Sequence, residues 1–346
     1  MREMYCDAQG SVRLIEAPDP EIQAPTDVIV QVSATTICGS DVHLVHGHLP
    51  TPWGFALGHE YVGRVVEVGA AVSQVKVGDR VVGPAAPWCG TCASCRAEQT
   101  QRCDRGGVLG SGDAWGGWGG AQAELIRVPW ADRDLSIVPE PVTDAQALTV
   151  GDVLSTGWTA VSHAVTAPGA TVLVLGCGPV GLSAVHTASL YGPRAVIAVD
   201  ALPDRLEVAR ALGATHTLAA DGDVAAQVAE LTSGRGAEAV VEAVGLQGTI
   251  TLAGQVVVVG GRISVVGIPA GPIQLPFADL LFKNVSWWSG LGDLRHMDML
   301  LAMIAQGRLD PTPMFTSQRP FDEIELAFAD MANRAPGVVK TLVTVG

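Results

Sequence analysis

The sequence is short of positive charge, of long apolar runs and of anything resembling an export signal. Lys and Arg number 21 against 35 Asp and Glu, which leaves a formal charge of −14. A surface of that sign repels phosphodiester backbones and anionic headgroups, so nucleic acid and anionic membrane are excluded as partners. The excess acid reads instead as a solubility charge. No stretch approaches the ~18–20 continuous apolar residues that a membrane span requires. Met1-Arg2-Glu3-Met4-Tyr5-Cys6 carries an acid early and no apolar run, so a signal peptide is not expected and the expected compartment is the cytoplasm. There the 7 cysteines are thiols or metal ligands, not a disulfide framework. Repeats and low-complexity linkers are absent too.

What is present is apolar material: 48% of 346 residues are hydrophobic, more than one core comfortably holds, so two domains are expected. Residues up to about 150 show short β-branched runs such as Val28-Ile29-Val30-Gln31-Val32 and Gly63-Arg64-Val65-Val66-Glu67-Val68, broken by Gly, Pro and Asp. That is the pattern of a mostly-β domain with irregular loops, assigned to 1–153. Beyond it strands (171–175, 195–199, 239–244, 262–268) alternate with helices (180–191, 203–212). Alternation of this kind predicts a parallel, doubly wound α/β sheet, assigned to 154–284. The remainder, 285–346, is read as a sheet edge, a helix, a Pro-rich loop and a closing strand over 338–345 that returns to the first domain.

Gly176-Cys177-Gly178-Pro179-Val180-Gly181 directly follows a predicted strand and opens a helix. Gly176 permits the tight turn, Gly178 lets backbone approach a pyrophosphate, and Gly181 lets helix and strand pack closely. The helix N-terminus attracts phosphate charge. Asp200 ends the next strand, near the ~20-residue spacing expected of the acid that grips the adenosine ribose. A carboxylate there accepts from both ribose hydroxyls and repels a 2′-phosphate, which favours NAD over NADP. Arg205 lies nearby and is a further cofactor-binding candidate, although its setting reads as the solvated start of a helix.

Cys89, Cys92, Cys95 and Cys103 form C-x2-C-x2-C-x7-C. Four thiolates suit tetrahedral Zn²⁺, and a four-sulfur shell leaves no open position, so this lobe (89–103) is expected to hold a structural zinc. An iron–sulfur cluster and disulfides are the alternatives.

Cys38-Gly39-Ser40-Asp41-Val42-His43 and Gly58-His59-Glu60-Tyr61-Val62-Gly63, followed by Gly69, are weak signals apart and strong ones together. The second resembles the zinc signature of the medium-chain alcohol dehydrogenases, and the first resembles that family's first-ligand loop. With the cysteine lobe and the glycine fingerprint following in the family's order, the resemblance spans essentially the whole chain. It implies a GroES-like catalytic domain, a Rossmann cofactor domain, and one catalytic plus one structural Zn²⁺ per chain. It also implies transfer of hydride between a small alcohol or carbonyl and NAD. Cys38 and His59 are two implied ligands of the catalytic zinc. The position of the third, just before Ser155-Thr156-Gly157-Trp158, is Asp152, as in the bacterial secondary-alcohol and glutathione-independent formaldehyde dehydrogenases. Glu60 is an alternative ligand, otherwise expected behind the metal, and Asp41 is the carboxylate expected to orient His59.

Ser40 is placed to accept the alcohol proton, and His43 resembles the outer member of the family relay, reached through the cofactor ribose. By the same resemblance Thr156 touches the nicotinamide end and Lys340 reaches the pyrophosphate. His46 and His48 are read as loop residues, since neither carboxylate nor thiol completes a set. The favoured substrates are secondary alcohols or polyols. An aldehyde dismutase with retained NAD is disfavoured because that branch carries extra chain to enclose its cofactor. A non-catalytic relative is disfavoured because every candidate ligand is kept. By the same resemblance a homodimer or homotetramer is expected, with the cofactor domains joined through edge strands after Arg262, where the apolar run Val285-Ser286-Trp287-Trp288 would otherwise sit near a sheet edge.

Overall fold

The computed structural model describes residues 1–346. The chain forms two compact units, one of Met1–Asp152, Asp293–Arg308 and Phe315–Gly346, the other of Val153–Gly292 and Leu309–Met314. In the first unit, one sheet runs in the order Phe315–Pro320, Lys340–Thr344, Val28–Thr35, Tyr61–Val68, Arg80–Val82 and Ser136–Ile137, with Leu125–Val128 also pairing to Val28–Thr35. Its inner faces bury Val28, Val30, Val32, Tyr61, Val65, Val81 and Ile126. The broken β-branched runs thus do form a mostly-β domain, because each side-chain-rich strand half-buries one pleated face. A smaller sheet joins Ser11–Glu16, Arg2–Ala8 and Phe55–Ala56.

The second unit carries six strands, all parallel, in the order His216–Ala219, Ala195–Asp200, Thr171–Leu175, Ala237–Glu242, Val257–Val265 and Ser286–Ser289. All five residues of Thr171–Leu175 are buried, as expected of a central strand covered on both faces. The strand order reverses beside it, so its carboxyl end is the topological switch point where such sheets bind ligands. The fingerprint begins there. This is the doubly wound Rossmann sheet that the alternation predicts.

Two segments differ from the sequence reading. The Pro-rich loop contains a strand, Phe315–Pro320, whose residues alternate in burial and whose place at the sheet edge tolerates the terminal proline. The segment after 284 also divides: Ser286–Ser289 closes the parallel sheet, while the helix Met297–Ala305 belongs to the first unit. No helix is long and apolar enough to cross a membrane.

Candidate active site

Strand Val28–Thr35 delivers the chain to Cys38, which caps the short helix Gly39–Val45. His59 sits between Gly58 and strand Tyr61–Val68. Gly58 has φ +95°, and a Cβ there would lie 2.4 Å from Gln122 Cγ, so only glycine lets the chain present the histidine at this point. Asp152 follows the 3₁₀ turn Thr149–Gly151. These elements bring one donor atom each from Cys38, His59, Glu60 and Asp152 within 4.8 Å of one another. Asp152 Oδ2 lies 3.5 Å from Cys38 Sγ and 3.5 Å from His59 Nε2. A thiolate, an imidazole and two carboxylates converging in this way are donors of the kind zinc takes.

One carboxylate organises two of these residues. Asp41 Oδ2 accepts the Cys38 amide at 2.9 Å, while Asp41 Oδ1 lies 3.1 Å from His59 Nδ1. The His59 ring is therefore held by its far nitrogen, with Nε2 turned toward Asp152. Asp41 is itself fixed by Gln122, whose Nε2 donates to Asp41 Oδ2 at 2.9 Å and to the Thr36 carbonyl at 3.1 Å. Gln122 is fully buried and was not singled out by sequence. Ser40 Oγ lies 3.3 Å from His59 Nε2, on the ring edge that faces the donor cluster.

The electrostatics of the cluster call for a cation. Burial pushes the Cys38 thiol up, and the Asp152 charge adds to it. Burial opposes ionisation of His59, yet Asp41, Asp152 and Cys38 more than offset it and hold the imidazole well above its usual range. Asp152 stays below the ordinary carboxylate range, because His59 and Lys340 outweigh its burial. Glu60 is pushed up to about 7 by burial, despite Lys340 Nζ at 2.8 Å. The excess negative charge draws a proton onto His59; a divalent ion meets the same demand with better-matched ligands.

The four cysteines of the lobe also converge, their sulfurs within 4.8 Å of one another. Cys92 and Cys103 sulfurs are 3.8 Å apart, and no disulfide forms. Backbone amides point at the sulfurs: Cys89 N at Cys103 Sγ (3.2 Å), Cys95 N and Asp104 N at Cys92 Sγ (3.4 Å each). Such donors stabilise thiolates, and the spacing is that of sulfurs at ~2.3 Å around one tetrahedral zinc.

In the second unit the turn after Thr171–Leu175 enters the helix Pro179–Ala188 with proline at its first position and Gly178 as an N-cap lacking a side chain. Its first amides therefore have no side-chain cap and are available to an anion. Gly181 is dictated by packing, since a Cβ there would lie 1.8 Å from the Gly176 carbonyl oxygen. Asp200 accepts the Cys177 amide at 2.7 Å and the Leu202 amide at 2.8 Å, tying the fingerprint turn to the end of the neighbouring strand.

Family models match both parts of the chain: an alcohol dehydrogenase GroES-like domain over residues 24–140, and a zinc-binding dehydrogenase domain over 179–302. A Mycobacterium tuberculosis protein described as a probable zinc-binding alcohol dehydrogenase is 37% identical over 338 residues, covering 97% of this chain and 86% of that one. The chain belongs to the zinc-dependent medium-chain dehydrogenase/reductase family. The alcohol dehydrogenase of Thermus sp. ATN1 superposes with a TM-score of 0.95 at 37% identity, all of each chain being covered. A structure from Sinorhizobium meliloti with NADP bound superposes at 0.87 and 27% identity, covering 99% of each chain. This chain is thus an alcohol oxidoreductase of a zinc-dependent family.

Within this dehydrogenase two expected roles change on sight of the structure. Arg205 is not a solvated helix-start residue: its guanidinium turns back to Asp200, with Nη1 at 3.9 Å from Oδ2, and only 17% of its side chain is exposed. Lys340, expected to reach a pyrophosphate, is fully buried with its ammonium on Glu60. The closing strand Lys340–Thr344 lies inside the sheet, and a cation carried inward there needs a buried anion. Lys340→Met should therefore cost ~3–5 kcal/mol by stranding the Glu60 charge, read as a lower urea midpoint for unfolding. An unchanged midpoint would mean the pair contributes nothing. Thr156 stands in the first turn of helix Val153–Ala164 and packs on Gly292, where a Cβ would come within 2.2 Å of its hydroxyl.

Proposed function

We propose that this chain is an NAD-dependent dehydrogenase of secondary alcohols or polyols, in which Cys38, His59 and Asp152 hold the catalytic zinc. The observation that carries the reading is the convergence of these three donors, with Ser40 beside them, on one point of the first unit. An ion held there would supply Lewis acidity, lowering the pKa of an alcohol hydroxyl as it does that of water, to ~7 in favourable sites. NAD in the cradle of the second unit would accept the hydride. The chain's own residues manage the proton. Ser40 Oγ receives it, and His43, three residues on along the same helix face, passes it to solvent. Asp41 keeps His59 in one orientation throughout, and Lys340 neutralises Glu60 so that the carboxylate can remain behind the metal. A screen of NAD⁺ reduction across linear, cyclic, polyhydroxy and amino alcohols tests the reading. Activity confined to aldehyde dismutation would overturn it.

Asp200 supports NAD over NADP, and Arg205 sharpens the test. Asp200→Gly removes a ribose acceptor and frees a guanidinium that sits 4.0 Å from the Cβ position of Gly178. The ratio of kcat/KM for NAD⁺ to that for NADP⁺ should fall ~10–100-fold, the ~1.5–3 kcal/mol of a charged hydrogen bond. Both values should also drop somewhat, because the Cys177 and Leu202 amides lose their acceptor. Wild-type preference for NADP⁺ would refute the assignment.

All seven cysteines are free, which suits a reducing compartment such as the cytoplasm. A homodimer or homotetramer is supported by the second unit's edge. Ser286–Ser289 pairs on one side only, and Val259, Phe277, Leu281 and Phe282 are 71%, 69%, 60% and 83% exposed. Apolar residues beside an open strand edge mark an association surface. Light scattering should give at least the dimer mass at micromolar concentration, and a Phe277→Asp/Phe282→Asp variant should shift it toward monomer. A monomeric wild type would refute the association.

A further inference from the structure

The first unit holds a second group of imidazoles that the proton path does not fully use. Helix Gly39–Val45 ends at His46, and the chain then reverses through Gly47, which has φ +74°. The reversal is held by the amides of His48 and Leu49, both donating to the His43 carbonyl, at 2.9 and 3.3 Å. Gln9 fixes the other side, its Nε2 donating to the His46 carbonyl at 2.9 Å. The turn brings His48 back over His43 so that their Nδ1 atoms face each other at 3.1 Å. The ring of His46 lies 6.1 Å from that of His48, centroid to centroid, and its side chain is exposed. Sequence spacing alone sets His46 and His48 aside; the turn is what makes them neighbours of His43.

Two ring nitrogens meeting head-on are reconciled either by a single shared proton or by a metal ion. Nitrogens bound to one tetrahedral ion at ~2.0–2.1 Å stand roughly 3.3 Å apart, close to the observed spacing. The set is all imidazole, with no carboxylate, which selects Zn²⁺, Ni²⁺ or Cu²⁺ over Mg²⁺ or Ca²⁺. We propose that His43 and His48, completed by His46, form a third metal site that takes a divalent transition-metal ion and leaves its remaining positions to water. An ion on His43 Nδ1 ties up the ring that would pass on the active-site proton. Excess zinc then inhibits turnover reversibly; this consequence rests on the relay reading given above, whereas the binding itself does not.

The experiment is calorimetric titration of the full-length enzyme, carrying its resident zinc, with ZnCl₂, alongside NAD⁺ reduction at each zinc concentration. Wild type should take up one further equivalent. His48→Gln should weaken that uptake by at least the ~10–100-fold that loss of an outer-shell partner alone costs, inhibition being read relative to each variant's own zinc-free rate. His46→Gln should weaken it less. Inhibition should follow occupancy in wild type and move to higher zinc in His48→Gln. Uptake of no further equivalent by wild type, or wild-type uptake by His48→Gln, would overturn the site. Uptake that depends on His48 but leaves turnover unchanged would uphold the site and remove His43 from the proton path.

Discussion

Asp152→Ala is expected to leave one zinc per chain in place of two and to bring turnover to background. In the structure Asp152 Oδ2 lies 3.5 Å from both Cys38 Sγ and His59 Nε2. Without it a thiolate and an imidazole remain, too few for a tight site. The transition-state stabilisation supplied by a Lewis acid is several kcal/mol, so at ~1.4 kcal/mol per tenfold the rate should fall by at least ~10³.

Glu60 is the residue that could rescue such a variant, since its donor atom lies within the same 4.8 Å cluster. Its Oε1 accepts from Lys340 Nζ at 2.8 Å while its Oε2 is buried without a hydrogen-bond partner, so it could offer that oxygen without releasing the ammonium. The double variant below separates the two carboxylates. The four-cysteine lobe draws on different residues and should keep its zinc, so the variant should remain folded. Metal analysis, circular dichroism and turnover on one preparation decide the matter. Two zincs and wild-type turnover in Asp152→Ala, lost on adding Glu60→Gln, would transfer the ligand role to Glu60.

Sequence revealed the parts of this site that are carried by short-range chemistry. Gly58-His59-Glu60 and the Cys89–Cys103 spacing announce themselves because ligand geometry and backbone sterics act over a few residues. The alternating β and α pattern was legible for the same reason, since each strand and helix states its burial in its own periodicity. What escaped were contacts across large separations. Gln122 meets Asp41 from 81 residues away, and Lys340 meets Glu60 from 280. Neither pairing leaves a local mark. Arg205 misled because Asp204-Arg205-Leu206-Glu207 is composed like a solvated helix start, while the attraction that turns the guanidinium inward comes from Asp200 on the preceding strand. Strand Phe315–Pro320 was hidden by its terminal proline and by Pro311 and Pro313 just before it; an edge position tolerates the proline in the strand and a central one does not.

Ser40→Ala should lower turnover by ~10²–10⁴, the range typical of a positioned acid–base group, with zinc content and NAD⁺ affinity near wild type. The alternative is that Ser40 merely packs near Cys38. Ser and Ala are close in volume, and the side chain is only partly buried, so a packing role predicts almost no change. Geometry favours the proton role: Ser40 Oγ lies 3.3 Å from His59 Nε2, on the donor-cluster side of the ring, where a hydroxyl can both accept and pass on a proton. His43→Ala should be milder, because water can take the place of an outer relay member. Its pH dependence should be distinctive. Burial and the neighbouring His48 and His46 hold His43 below the usual histidine range, so in wild type it is neutral and able to accept at neutral pH. Removing it should hurt most at low pH and least at high pH, where hydroxide accepts the proton instead. Ser40→Ala should gain less from high pH if the proton must first leave the buried cluster through that hydroxyl. Profiles of kcat against pH for both variants, with metal content measured on each, separate these roles. Wild-type rates in a fully metallated Ser40→Ala enzyme would remove Ser40 from the mechanism and leave the alcohol losing its proton directly to solvent.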